Sequence, residues 1–225
     1  MVPQVMIEAL PLWMHRLVPD DTRVTFEQYR VYDHLVQSAE HLILRAYIAS
    51  THSVSYRPFP VGSAVLGIHP YEHVPRVYTG HNMKVSQDAR VNCGEAFAIG
   101  AARQRGCTHI PMIAVVGNPQ SDHGSGKISA TLHPCYRCRA EFAALTEVHN
   151  DTIIVTATQE AAHLLAEDTP QLPWVDHLVS TGQIREAFQI IEAWGDTAVS
   201  LDHLIDDGLV EVMTVQQLLA YHHST

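Results

Sequence analysis

Apolar residues recur along this chain with two different spacings. Over 24–50 they return every three or four residues, which predicts an amphipathic helix that covers one face of the core. Beyond it, short runs rich in branched residues alternate with further helical patterns. The predicted strands are 61–68, 75–79, 111–117, 152–158 and 209–213, and the predicted helices are 93–105, 135–148 and 215–221. This order indicates an α/β protein with a central sheet covered by helices.

Two segments stand apart from this alternation. Residues 1–23 precede the first helix and are interpreted as an N-terminal arm. Residues 159–208 separate the last two strands and carry two or three helical patterns, so they are interpreted as a helical insertion. A length of 225 residues suits one domain with such additions.

Composition narrows the classes of protein that fit. The formal net charge of −10 gives no basic field that would hold extended nucleic acid. Residues 1–18 are fairly apolar, but Glu8 and Pro11 interrupt them and no Lys or Arg precedes them, so neither a signal peptide nor a membrane span is expected. Four cysteines are too few for a disulfide scaffold. A cytoplasmic protein is the expectation.

Three of those cysteines lie at predicted helix starts. Cys93 begins one helix, and Cys135 and Cys138 form a Cys-x-x-Cys pair at the start of another. The pair alone fits a redox couple or two buried thiols as well as a metal site. Cys93 adds the third ligand that a catalytic zinc site needs, and helix N-termini stabilise thiolates. Cys107 has no such spacing and is interpreted as a plain core or surface thiol.

Glu95 follows Cys93 by two residues, and its position fits two different roles. Its carboxylate can reach a water molecule beside the same metal and act as general base and then general acid. Alternatively, with Asn92 as the N-cap, Glu95 occupies the position of a capping-box carboxylate and needs no catalytic role. The cysteine pair that follows favours the catalytic reading.

Two motifs together resemble the cytidine deaminase superfamily. Cys93-Gly94-Glu95 and Pro134-Cys135-Tyr136-Arg137-Cys138 match the three-cysteine variant of its zinc motif. The chain resembles the nucleoside-type cytidine deaminases more specifically, because 56–62 and 213–219 also have counterparts there. Roughly residues 30 to 158 and 208 to 222 are covered by the resemblance.

The resemblance implies a fold, a cofactor and a reaction. The fold is a three-layer α/β/α arrangement around a mixed five-stranded sheet, and the cofactor is Zn²⁺ held by Cys93, Cys135 and Cys138. Water activated at the zinc replaces the amino group at C4 of a cytosine, while Glu95 carries the protons and ammonia leaves. The substrate is a small nucleoside, and a homo-oligomer, dimer or tetramer, is expected.

Substrate-binding residues are also implied by the resemblance. Phe59 matches the residue that packs against the base, although a core aromatic fits the sequence equally well. Gly94 and the loop near His133 match groups that contact the polar edge of the base. Asn82 matches the asparagine that hydrogen-bonds the ribose.

Two positions depart from the family pattern. Lys84 stands where nucleoside deaminases place a ribose-binding glutamate, so either the substrate carries an anion or Lys84 is a solvated bystander. The anionic candidates are a nucleotide and an aminonucleoside antibiotic resembling blasticidin S. Ala96 stands where tetrameric members have an arginine, for which Arg103, Arg137 or Arg139 would substitute. A zinc-containing binding module or effector without turnover is the alternative of another class.

Overall fold

A mixed five-stranded sheet forms the centre of the protein. The computed structural model describes residues 39–55, 59–71, 75–88, 92–120, 129–168 and 200–223. The seven strands are β1 (Val54–Ser55), β2 (Gly62–Ile68), β3 (Arg76–His81), β4 (Met83–Lys84), β5 (His109–Val116), β6 (Ile153–Ala157) and β7 (Val210–Thr214). The large sheet has the order β3-β2-β5-β6-β7, in which β5 and β6 are parallel and the other neighbours are antiparallel. β1 and β4 pair separately.

In the described part of the chain, six helices lie against the two faces of this sheet. They are α1 (39–50), α2 (Gly94–Gln104), α3 (Tyr136–Ala144), α4 (Gln159–Asp168), α5 (Leu201–Asp206) and α6 (Val215–His223). None of the helices in the described ranges is long and apolar enough to cross a bilayer.

Alternate residues of the central strands face two separate hydrophobic cores. Met112 and Ala114 of β5 belong to one core with α1, α4 and α5, whereas Ile113 and Val115 belong to the other with α2, α3 and α6. Successive side chains of a strand point to opposite faces, so a fully apolar strand such as β5 requires a helical layer on each side. The predicted three-layer α/β/α fold with a mixed five-stranded sheet is therefore confirmed.

Two predicted elements differ in extent from the structure. The helix predicted over 135–148 ends at Ala144, because Leu145 adopts an extended conformation. Beyond it, the Glu147 carbonyl accepts a hydrogen bond from Ile110 N–H at 2.8 Å, which draws the chain to β5. The helix predicted over 24–50 is observed over 39–50, and its earlier part, like the arm 1–23, lies outside the described residues.

Both ends of the predicted insertion 159–208 are helices that contribute to the core. Ala161 and Leu165 of α4 and Leu201 and Leu204 of α5 are buried in the same cluster as α1. The stretch between them, 169–199, lies outside the described residues, so its role as an insertion stays a prediction.

Candidate metal centre

The starts of α2 and α3 bring three cysteines together. Cys93 and Cys135 are the N-cap residues of the two helices, and Cys138 lies in the first turn of α3. The three Sγ atoms all lie within 4.8 Å of one another, with 3.5 Å between Cys93 and Cys135 and 3.6 Å between Cys135 and Cys138. Sulfur atoms in a tetrahedral zinc site are about 3.8 Å apart. The donor set therefore fits zinc in identity, number and spacing.

The electrostatics of the cluster favour a negatively charged sulfur at Cys135. Its pKa is lowered to about 2 by its side-chain hydrogen bonds with Cys138 and Cys93, helped by the backbone N–H groups of Cys138 and Arg137. The same sharing of protons raises the pKa of Cys93 to about 12 and also raises that of Cys138. A metal ion must displace these protons, so its affinity for the site should fall as the pH falls.

The arginines expected to substitute at the position of Ala96 lie in different places. Arg103 is half-exposed, and its Nε donates to Glu147 at 2.8 Å. Arg139 is buried, and its Nη1 donates to the carbonyl of Pro134 at 2.7 Å, directly before Cys135. Arg137 lies in the wall of the cavity described below. Two of the three cations thus lie near the cysteine loop, and Arg103 is directed elsewhere.

Glu95 is a buried carboxylate and not a helix cap. The N-cap of α2 is Cys93, and the backbone N–H that a capping box at Asn92 would require is bonded to the carbonyl of Met83 at 3.0 Å. Glu95 is only 4% exposed, and burial raises its pKa to about 7. The capping-box alternative is excluded, which leaves a buried acid beside three thiols.

A cavity of about 340 Å³ opens onto this cluster. Of the residues predicted from the sequence as metal ligands, proton carrier or substrate contacts, seven line it: Phe59, Asn82, Cys93, Gly94, Glu95, His133 and Cys135. Lys84 is not among the lining residues. It lies half-buried in β4, where it pairs with Ser55 of β1.

Asn82 organises the loop that carries Phe59. Its side-chain oxygen accepts from Val61 N–H at 3.0 Å and from the hydroxyl of Ser53, and its Nδ2 donates to the carbonyl of Phe59 at 2.8 Å. An amide nitrogen has two hydrogens, and within the described residues the second hydrogen of Asn82 Nδ2 has no acceptor and can serve a ligand. Asn82, which is predicted to bind ribose, therefore also holds the loop that carries Phe59 in place.

Sequence reasoning missed one histidine that lines the cavity. His222, from the last turn of α6, lines the cavity and bonds to His133, which in turn bonds to Glu211 of β7. The three residues are separated by up to 89 positions and follow no motif. The nearest sequence signal was the resemblance of 213–219, which placed the C-terminal helix in the family fold but not its last turn in the site.

Gly80 allows the helix that carries Cys93 and Glu95 to approach the sheet. A Cβ at Gly80 would lie 2.3 Å from the Gly94 carbonyl oxygen and 2.7 Å from the Ala98 nitrogen. Because backbone cannot yield as a side chain can, Gly80→Ala should displace the start of α2. We expect a loss of about 1–3 kcal/mol in the free energy of unfolding, measured in urea, and a lower zinc content of the purified protein.

Gly100→Ala, in the same helix, is the matched control for this change. A Cβ there meets nothing within 4 Å, so this variant should keep its zinc and gain about 0.5–1 kcal/mol in stability. Equal stability and zinc content in the two variants would show that the close contact at Gly80 does not position the helix.

The sequence matches a family model over residues 36–157, which is just over half of the chain. That model describes the cytidine and deoxycytidylate deaminase zinc-binding region, and the matched residues include Cys93, Cys135, Cys138 and Glu95. The chain belongs to this family. No curated protein matches the chain in sequence.

Solved structures of cytidine deaminases are similar to part of the chain. The Burkholderia pseudomallei enzyme is 25% identical with a TM-score of 0.40, covering 52% of this chain and 83% of its own. The Mycobacterium tuberculosis enzyme is 25% identical with a TM-score of 0.39, covering 51% and 80%. The Mycobacterium leprae enzyme is 24% identical with a TM-score of 0.39, covering 54% and 87%. At TM-scores this low, the assignment rests on the family match.

Proposed function

We propose that this protein is a zinc-dependent hydrolytic deaminase that converts the cytosine of a nucleoside or nucleoside derivative to uracil and releases ammonia. The observation that carries the proposal is the position of Glu95. The buried Glu95 lines the same cavity as Cys93 and Cys135, and the three cysteines fit zinc. A structural zinc site has no need of such a carboxylate at a ligand-accessible surface.

Glu95 is the residue proposed to move protons. When bound by the three cysteines, zinc would act as a Lewis acid that lowers the pKa of a water molecule. A Glu95 oxygen accepts a proton from that water as it adds to C4 and delivers it to ring N3. The same carboxyl then transfers the second proton of the water to the departing amino group, so water and the cytosine yield the uracil and ammonia. The charge on Glu95 is restored at the end of the cycle.

The remaining predicted residues are proposed to hold the substrate. Phe59 is half-buried at the cavity surface, where its ring gives the base an apolar face. Gly94, next to Cys93 in the chain, and His133, two residues before Cys135, also line the cavity, and we propose that they contact the polar edge of the base. The free Nδ2 hydrogen of Asn82 can donate to a sugar hydroxyl.

An anionic substrate is the second candidate, and one observation favours it. Arg137 lines the cavity, so a phosphate or carboxylate on the ligand would find a guanidinium in the wall. Lys84, the cation proposed from the sequence for a nucleotide or a blasticidin S-like antibiotic, is not a lining residue. We therefore assign the anion contact, if the substrate has one, to Arg137.

A substrate panel tests the proposal. Zinc-loaded protein is incubated with cytidine, deoxycytidine, their monophosphates and blasticidin S. Loss of the cytosine absorption band and release of ammonia are followed together, and the two should agree at one ammonia per substrate consumed. We expect turnover of at least one member. A preference for the monophosphates or blasticidin S over the nucleosides would support the anionic candidate.

No ammonia from any member would contradict the proposal. That result would favour the alternative class, a zinc-containing binding module or effector without turnover. The expected assembly into a homo-oligomer, dimer or tetramer, remains a prediction, and light scattering of the purified protein checks it.

A further inference from the structure

The last turn of α6 closes one side of the cavity with a histidine. His222 is 9% exposed and lines the cavity. Its Nε2 is 3.2 Å from Nδ1 of His133, and Nε2 of His133 is 3.1 Å from Oε2 of Glu211. Tyr221 packs edge-on against both rings. A single chain of hydrogen bonds thus runs from β7 to the cavity wall.

Donors surround the Glu211 end of this chain. Oε2 of Glu211 accepts from Thr131 N–H at 3.1 Å, from the Thr131 hydroxyl and from Nε2 of His133. Burial alone would raise the pKa of Glu211, but the bonds from His133 and Thr131 lower it. The carboxylate therefore stays ionised and holds a hydrogen on Nε2 of His133. With Nε2 of His133 as the donor to Glu211, Nδ1 of the same ring is the atom that faces Nε2 of His222 at 3.2 Å.

We infer that His222 is a specificity-determining residue that contacts a polar group of the bound nucleoside, and that Glu211 and His133 are positioning residues that fix its ring. This inference rests on the proposed function. His222 stands near the end of the helix, where a side chain without tertiary bonds would lose its orientation. The chain of bonds supplies that orientation, as packed partners do for residues in binding sites.

Glu211 also has a purely structural explanation, which the experiment must separate. Thr131 and His133 lie in the loop that leads to Cys135, so Glu211 could serve only to hold this loop. In that case its removal would lower the zinc content. If instead it positions His222, ligand affinity should change while zinc stays bound.

The experiment measures ligand binding in the Glu95→Gln background, where the ligand is not consumed. The ligand is the panel member turned over fastest, or cytidine if none is, and its Kd is measured by calorimetry with zinc per chain measured alongside. His222→Ala should raise Kd about tenfold, as expected for one lost hydrogen bond. Glu211→Gln should raise it less, and neither change should lower the zinc content.

Coupling between the two positions is the decisive readout. If Glu211 acts through His222, adding Glu211→Gln to His222→Ala should not raise Kd further. His223→Ala is the matched control, because His223 is the exposed neighbour on the same helix, and it should leave Kd unchanged. His222→Gln, which retains a donor toward His133, should recover part of the affinity.

Three results would overturn the inference. They are an unchanged Kd in His222→Ala, additive effects of the two substitutions, or a fall in zinc content that accounts for the effect of Glu211→Gln. Failure of the proposed function is seen separately, as absence of turnover by the protein with Glu95 intact. Absence of binding by the Glu95→Gln parent, together with absence of turnover by the protein with Glu95 intact, would refute both.

Discussion

Glu95→Gln should lower kcat by about 10²- to 10⁴-fold, the usual contribution of a general acid–base group. Glutamine has nearly the same shape and can still accept a hydrogen bond, but it cannot carry a proton between water, ring N3 and the leaving amine. Because Glu95 is buried and charge is costly there, the variant should fold at least as well as the parent protein. Its zinc content should be unchanged. Turnover of the best panel substrate and metal analysis of the same preparation provide the measurement.

The control for this prediction is Glu160→Gln. Glu160 is an exposed carboxylate in the first turn of α4, on the opposite face of the sheet from the cysteines. Its replacement should leave kcat and zinc content unchanged. A fully active Glu95→Gln protein would remove the proton-transfer role and leave the buried carboxylate without a catalytic explanation.

Cys138→Ser should abolish stable zinc binding and, with it, all turnover. Cys138 is 1% exposed and supplies the third sulfur of the cluster. A hydroxyl is a much poorer zinc ligand than a thiolate, and two remaining sulfurs cannot hold the ion firmly. Zinc per chain should fall from about one toward zero after dialysis. Binding of Co²⁺ should also lose intensity in the sulfur-to-metal charge-transfer bands.

Cys107→Ser is the matched substitution outside the cluster. Cys107 is equally buried, but its Sγ donates to the Tyr78 hydroxyl at 3.4 Å, and a serine can make the same bond. This variant should keep zinc and activity, with a stability loss of at most about 1–2 kcal/mol. Retention of zinc by Cys138→Ser, or its loss from Cys107→Ser, would contradict the assignment of the ligands.

The cluster of three cysteines with Glu95 was predictable from the sequence because its residues lie in two short motifs. Cys93 and Glu95 share the start of one helix, and Cys135 and Cys138 share the start of another. Within one helical turn, spacing along the chain determines spacing in the structure. Only the meeting of the two helix starts had to be inferred, and the resemblance to a known family supplied that step.

The roles of Glu95 and Lys84 could not be decided in the same way. A capping box and a catalytic carboxylate have the same sequence pattern, and the bond between Asn92 and Met83 on another strand separates them. For Lys84 the sequence left an anion contact and a solvated bystander open; in the structure Lys84 lies half-buried in β4, which pairs with β1, and it is not a lining residue of the cavity. Both observations depend on strand pairing, which local patterns do not encode.

The sequence by itself determined the alternation of strands and helices and the three cysteines that the structure brings together. These follow from periodicity and from short-range spacing. Only the tertiary structure decided that Gly80 admits α2, that Asn82 holds the Phe59 loop and that Glu211, His133 and His222 form one chain of bonds. Each of these contacts joins residues that are distant in sequence. The packing of the layers around the cavity determines which of these residues come into contact, and local sequence patterns do not predict it.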